Sequence, residues 1–232
     1  MQVFIITGTR KGIGKNLATY YLEKGCIVAG CSRKESSISH QNYRHFLLDV
    51  ADEELVKNMV NSVKKEFGGV DCLINNAGIA SMNHTLTTPY SSVKRIFSTN
   101  MFGTFLFVRE VSKLMIRKKY GRIINFSTVA AGIRLEGEAT YAASKSAIAN
   151  FTQTVAKELG EFGITVNAIA PTPIKTDLII NVPVDKINKL FDHQAIKRFG
   201  EFKDIQNLID FFIKDESEFI TGQVIYLGGV NG

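Results

Sequence analysis

The sequence has no long apolar run and few cysteines. No apolar stretch reaches the roughly 18 residues that suggest a membrane-spanning helix, and the first residues enter a predicted strand without the basic and apolar regions of a secretory signal. The three cysteines and four histidines show no metal-like spacing. We therefore expect a cytoplasmic protein with reduced thiols, no metal site and no membrane association.

Positive charge exceeds negative charge, with 28 lysines and arginines against 22 aspartates and glutamates. The cations are spread over the predicted helices, and no nucleic-acid recognition motif accompanies them. An anionic cofactor or substrate explains this charge without a nucleic acid, so we expect no nucleic-acid partner.

Short apolar strands alternate with longer amphipathic segments along all 232 residues. This alternation predicts βαβ units and a parallel sheet. We expect a single α/β domain over residues 1–232, with a doubly wound, mainly parallel sheet of seven strands and helices on both faces. The third strand is expected at 46–50. We also expect a helix that Asp52 caps and that runs through Phe67 to Gly68, and a break near Gly103 in the helical pattern of 90–119. A further strand is expected at 164–170 and a further helix at 202–213. The segment 177–199 is expected to form a substrate lid with two helical fragments.

A glycine-rich turn follows the first predicted strand. Gly8 allows a tight exit from the strand, while Gly12 and Gly14 leave space where a phosphate approaches the backbone and where helix packs on sheet. The next helix, beginning near Ile13, presents free N–H groups to an anion. The spacing is a variant of the usual dinucleotide fingerprint, and an ordinary glycine turn is the alternative. We interpret the stretch as the phosphate loop of a Rossmann-type fold.

The end of the second predicted strand indicates which dinucleotide binds. An acidic residue usually holds the ribose 2′-hydroxyl there, whereas this chain has Ser32, Arg33 and Lys34. These groups, together with Arg10 and Lys11 of the glycine loop, suit a 2′-phosphate, so NADP(H) is favoured over NAD(H). Two alternatives remain, an acidic ribose ligand one residue further on and a solvated basic loop.

Two further predicted loops border the same crevice. Asp49 and Val50 end the third predicted strand, where the carboxylate can accept a hydrogen bond from the adenine amino group. Asn76, Ala77 and Gly78 follow the fourth strand, where small residues let the adenosine half of a cofactor lie close to the sheet. For this last stretch, an ordinary turn is the alternative.

The order of the motifs along the whole chain resembles that of a known family. The motifs are Thr7-Gly8-x-x-x-Gly12-x-Gly14, Asn75-Asn76-Ala77-Gly78, Asn100, a hydroxyl at 127–128, Tyr141-x-x-x-Lys145 and Pro171-x-x-Ile174-x-Thr176. In this order the chain resembles the single-domain short-chain dehydrogenases/reductases, and in overall pattern the 3-oxoacyl-(acyl carrier protein) reductases among them.

The resemblance implies further roles and an assembly. Pro171, Ile174 and Thr176 would line the nicotinamide half and a phosphate of the cofactor. Asn100 would maintain a water that relays protons to Lys145. Such chains are often homo-oligomers, so a dimer or a tetramer is expected.

Residues four apart on a helix share a face, which places Tyr141 and Lys145 in one crevice. An ammonium beside a phenol favours the phenolate, so we expect Lys145 to lower the pKa of Tyr141 and also to hold the nicotinamide ribose. A hydroxyl from Ser127 or Thr128 would position the substrate oxygen. Thr128 lies 13 residues before the tyrosine, as the family's serine does, and is narrowly favoured. A loop longer by one residue would restore Ser127.

The expected function is NADPH-dependent reduction of a ketone to a secondary alcohol, with 3-oxoacyl thioesters, including those bound to acyl carrier protein, among the candidate substrates. The alternatives are a dehydrogenase/reductase of a sugar, a polyol or another secondary alcohol, and a non-catalytic dinucleotide sensor.

Overall fold

A computed structural model describes residues 1–175 and 184–230 of the chain. Within this part, seven strands form one sheet in the order β3-β2-β1-β4-β5-β6-β7, and each strand runs parallel to its neighbours. The strands are β1 (Val3–Thr7), β2 (Ile27–Ser32), β3 (Tyr43–Leu47), β4 (Cys72–Asn75), β5 (Gly121–Phe126), β6 (Ile164–Ala170) and β7 (Val224–Tyr226). The predicted doubly wound parallel sheet is confirmed.

Helices cover both faces of the sheet. They are α1 (Gly12–Glu23), α2 (Glu53–Phe67), α3 (Tyr90–Phe97), α4 (Gly103–Lys118), α5 (Val129–Ile133), α6 (Ala139–Leu159), α7 (Val184–Asp192) and α8 (Phe202–Ile213). Side chains of α2, α4 and α6 pack on one face, and those of α1 and α8 pack on the other. The central strands are buried on both faces, which is why they read as continuous apolar runs. Among the described residues, no helix combines the length and the apolar character needed to cross a membrane.

Local signals set the ends of several helices. The Asp52 side chain accepts a hydrogen bond from Leu55 N at 3.0 Å and caps α2, which ends at Gly68 in the left-handed conformation with φ 84°. Between α3 and α4 the chain forms a π-helical turn at Ser98–Phe102, so the interruption expected near Gly103 is found just before it.

The third strand lies three residues earlier than predicted, at Tyr43–Leu47 rather than 46–50. The Asp49 carboxylate accepts from Ala51 N at 3.0 Å, and Asp49 O accepts from Asp52 N at 3.0 Å. This local turn competes with the strand and takes the chain directly into α2. The apolar run alone could not distinguish the two outcomes.

Part of the expected lid lies outside the described residues. Residues 177–183 belong to that part, and so does Thr176, which was expected to contact the cofactor. Of the two expected helical fragments, α7 falls within the described residues.

Candidate active site

A cleft of about 760 Å³ opens at the carboxyl ends of β1, β2 and β4, where the strand order reverses. Open α/β sheets bind ligands at this position, because the loops of neighbouring strands diverge there. Most of the expected cofactor residues line it: Gly8, Arg10, Lys11, Gly12, Ile13, Ser32, Arg33, Asp49, Val50, Asn76, Ala77 and Gly78.

The glycine loop is held against the second and fourth strands. Gly8 N donates to Cys31 O at 2.9 Å, and Gly8 and Gly12 have positive φ values of 77° and 60°. The Asn76 amide donates to Thr7 O at 2.9 Å. A Cβ atom at Gly14 would overlap both that amide and Gly8 O, so this glycine is required for packing beneath the loop and lies below the cleft rather than in its lining. The loop and the helix N-terminus behind it fit a dinucleotide phosphate.

Four cations line one end of the cleft: Arg10, Lys11, Arg33 and Lys34. Among the residues that the structure describes, Arg10 and Arg33 form no ion pair with a carboxylate. An anionic group such as a 2′-phosphate would therefore meet exposed positive charge at this end.

Sequence reasoning missed several cleft residues. Cys31, Leu48, Ile79, Ala80 and Thr99 also line the cleft. They adjoin recognised motifs but carry no chemistry that marks a phosphate or ribose site, so only their position in the fold reveals them.

The predicted catalytic side chains meet where β5 ends and α6 begins. Thr128 is the N-cap of α5, where its hydroxyl accepts from Ala130 N at 3.3 Å, and it lies close enough to the Tyr141 phenol to act on the pKa of that group. The Ser127 hydroxyl instead donates to Lys145 O at 3.1 Å. Of the two candidate hydroxyls, Thr128 therefore faces the tyrosine, and Ser127 is engaged by the backbone of α6.

Lys145 lies one helical turn after Tyr141 and is 5% exposed. Its Nζ donates to Phe126 O at 2.6 Å. A Cβ atom at Gly78 would lie 3.4 Å from that Nζ and 3.3 Å from Asn100 Oδ1. The glycine thus brings the cleft wall close to both side chains.

Asn100 is completely buried in the π-helical turn. Its Oδ1 accepts from Ile79 N at 2.9 Å, and its Nδ2 donates to Ile79 O and to Ser144 Oγ, both at 3.0 Å. The amide therefore joins the loop after β4 to α6, one residue before Lys145.

The electrostatics of the pair differ from the prediction. Burial raises the pKa of Tyr141 to about 12, against the opposing effect of the Thr128 hydrogen bond, and Glu138 raises it further. Burial lowers the pKa of Lys145 to about 8. The expected lowering of the tyrosine pKa by Lys145 is not found, because burial raises this pKa and Lys145 is not among the groups that shift it.

The segment after β6 runs beside α5. Pro171 O accepts from Val129 N at 3.3 Å, and Ile174 pairs with Gly200 in an isolated parallel bridge. Thr172 is buried against Gly200. Pro171 is thereby placed next to α5, and neither Pro171 nor Ile174 is in the cleft lining given above.

Comparison with known proteins identifies the family. A family model described as enoyl-(acyl carrier protein) reductase matches residues 8–231. The 3-oxoacyl-[acyl-carrier-protein] reductase FabG of Staphylococcus epidermidis is 33% identical over 97% of this chain and 96% of the relative. The chain belongs to the short-chain dehydrogenase/reductase family. Membership makes it an oxidoreductase of alcohol and carbonyl groups.

Other members of the short-chain dehydrogenase/reductase family match over nearly the whole chain. The FabG protein of Vibrio cholerae is 32% identical over 98% of this chain and 96% of the relative. The ligand-free structure of Thermoplasma acidophilum aldohexose dehydrogenase superposes with a TM-score of 0.90 and 28% identity, covering 99% of this chain and 93% of that one.

Proposed function

We propose that this protein reduces a ketone to a secondary alcohol with NADPH. The supporting observation is that the Thr128 hydroxyl, the Tyr141 phenol and the Lys145 ammonium gather beside the wall of a dinucleotide-sized cleft. This arrangement supplies a proton donor, a positioning hydroxyl and a cation at one point.

Tyr141 acts as the acid. A pKa of about 12 keeps the phenol protonated at neutral pH, so it can donate its proton to the carbonyl oxygen. Bound NADPH supplies the hydride that adds to the carbonyl carbon. Thr128 donates a hydrogen bond to the same oxygen and holds it against the phenol. Proton and hydride together convert C=O to CH–OH.

Lys145 restores the proton and orients the cofactor. With a pKa of about 8, it is mainly protonated at pH 7 but can release its proton at small cost. The Lys145 Nζ lies close to Gly78 in the cleft wall, where it can contact the nicotinamide ribose. Asn100 completes the proton path by maintaining a water next to Lys145, and Pro171 and Ile174 line the nicotinamide.

NADP(H) is the proposed cofactor because the ribose end of the cleft carries Arg10, Lys11, Arg33 and Lys34. A carboxylate at this point would favour the 2′-hydroxyl of NAD(H). Replacing Arg33 with Ala should lower the ratio of NADPH to NADH efficiency, and an unchanged ratio would place the phosphate elsewhere.

The substrate proposed first is a 3-oxoacyl thioester, free or bound to acyl carrier protein, since the curated relatives act on that class by name. The second candidate is a sugar, a polyol or another secondary alcohol, which the similarity to an aldohexose dehydrogenase favours. We also propose a cytoplasmic homo-oligomer, a dimer or tetramer, which light scattering of the purified protein would test.

The first experiment follows NADPH consumption with acetoacetyl thioesters, simple ketones, keto-sugars and quinones, with NADH in parallel. Tyr141→Phe should abolish turnover and leave the dissociation constant for NADPH nearly unchanged. Tyr90→Phe is the matched control, because that ring is 73% exposed on α3. Turnover by Tyr141→Phe would refute the proposed acid. NADPH binding without turnover of any substrate would favour a sensor.

A further inference from the structure

A chain of hydrogen bonds runs beneath the cationic end of the cleft and includes a histidine that the proposed reaction does not use. Thr9 Oγ1 and Tyr43 OH lie 2.8 Å apart, and Tyr43 OH lies 2.8 Å from His45 Nδ1. On the other side of the ring, His45 Nε2 is 3.1 Å from both Ser32 Oγ and Lys34 O. The chain therefore connects the glycine loop with the loop after β2.

The acceptors determine which ring nitrogen of His45 carries the proton. Lys34 O can only accept, so Nε2 must donate to it. Ser32 Oγ donates its own proton to Lys34 O at 2.6 Å and is left as an acceptor for the same Nε2–H. In the neutral ring Nδ1 then accepts, so Tyr43 donates to it and Thr9 donates to Tyr43.

The surrounding residues leave space for this chain of hydrogen bonds. A Cβ atom at Gly30 would overlap both Thr9 Oγ1 and Tyr43 OH, so a glycine in β2 allows the two hydroxyls to meet. Thr9 is completely buried and Tyr43 is 7% exposed, which shields their hydrogen bond from water.

These hydrogen bonds fix the backbone around Arg33, the residue between Ser32 and Lys34. Lys34 O receives two donors, so the backbone on both sides of Arg33 is anchored before any ligand arrives. A loop held in one conformation loses less entropy when its side chain binds an anion.

We propose that His45 is a positioning residue that sets the preference of this protein for a 2′-phosphorylated dinucleotide by holding the Ser32–Lys34 loop under Arg33. This inference rests on the proposed use of NADP(H). His45 touches neither the phosphate nor the reacting atoms, and it acts through the Lys34 carbonyl.

The test compares dissociation constants for NADPH and NADH in matched variants of the full-length protein. His45→Leu removes all three hydrogen bonds of the ring. It should weaken NADPH binding about tenfold, the effect of losing the hydrogen bond to Lys34 O, with NADH changed by less than about twofold. His45→Gln places an amide donor near the position of Nε2 and should restore most of the NADPH affinity. His40→Leu, an exposed histidine outside the cleft lining, is the control and should change neither constant.

Equal weakening of both cofactors by His45→Leu, or of neither, would overturn the proposal, and so would a failure of His45→Gln to rescue. Should His45→Leu not fold, Tyr43→Phe removes only the hydroxyl that orients the ring and should lower NADPH affinity in the same selective way. Nitrogen NMR of the wild-type protein at pH 8 should show the Nε2–H tautomer, and the Nδ1–H tautomer would refute the assigned hydrogen bonds.

Arg33→Ala separates this inference from the cofactor assignment. If wild type does not prefer NADPH and Arg33→Ala changes nothing, the NADP(H) assignment fails and the positioning role fails with it. If Arg33→Ala lowers the preference and His45→Leu does not, only the role of His45 fails.

Discussion

Lys145→Met should stabilise the protein at pH 7 while removing its activity. Burial lowers the pKa of Lys145 from 10.5 to about 8. At about 1.4 kcal/mol per pKa unit, keeping the buried ammonium protonated costs about 3 kcal/mol of folding free energy at neutral pH. Methionine has a similar shape and no charge. It leaves Phe126 O without its donor, which costs about 1–3 kcal/mol, so the net gain is on the order of 1 kcal/mol.

The pH dependence gives the sharper test. Between the folded pKa of about 8 and the unfolded value of 10.5, the unfolded chain binds more protons at Lys145, so wild-type stability rises with pH through this window. Lys145→Met lacks that rise, and its advantage should shrink steadily as pH increases from 7 to 10.

Urea unfolding followed by circular dichroism at several pH values measures the difference, since other titrating groups contribute equally to both proteins. Lys65→Met, an exposed lysine of α2, is the control and should show no pH-dependent difference. A pH-independent difference between wild type and Lys145→Met, or a variant markedly less stable at pH 7, would refute the reasoning.

Three further outcomes are expected. Thr128→Val should lower kcat about 100-fold, the usual loss for one donor to a developing oxyanion. Thr128→Ser should retain most activity, and Ser127→Ala should act mainly on stability. Equal kcat losses in Thr128→Val and Ser127→Ala would contradict the choice of Thr128. The rate of alcohol oxidation should keep rising above pH 8, because Tyr141 with a pKa of about 12 forms the phenolate only in alkali. A plateau of this rate below pH 8 would show that the pKa of Tyr141 is lower in the complex with the cofactor. Gly14→Ala should destabilise the fold by about 1–3 kcal/mol in urea unfolding and weaken NADPH binding, since the added methyl overlaps Gly8 O. An unchanged stability and an unchanged NADPH dissociation constant would show that the glycine loop can move aside.

Local signals predicted much of the secondary structure. The strand Ile164–Ala170 and the helix Phe202–Ile213 were predicted with the bounds that the structure has. The helix that ends at Gly68 was predicted from its Asp52 cap and its glycine. In each case the deciding contacts lie within a few residues along the chain, so the pattern of apolar residues, caps and glycines was sufficient.

Competition between signals was harder to predict. At 46–50 the apolar run indicated a strand, but the Asp49 side chain makes a turn that ends it earlier. The choice between Ser127 and Thr128 depended on which hydroxyl the backbone of α6 occupies, and sequence spacing supported either residue.

The sequence by itself determined the family, the parallel sheet, the glycine loop and the Tyr-x-x-x-Lys spacing, because each depends on the order of residues along the chain. Only the tertiary structure decided the direction in which the Tyr141 pKa shifts, the hydroxyl that faces Tyr141, and the contact of His45 with the Ser32–Lys34 loop. Desolvation depends on everything packed around a group. The hydrogen bond between Thr9 and Tyr43 joins residues 34 positions apart in the sequence, and no local pattern encodes such a contact.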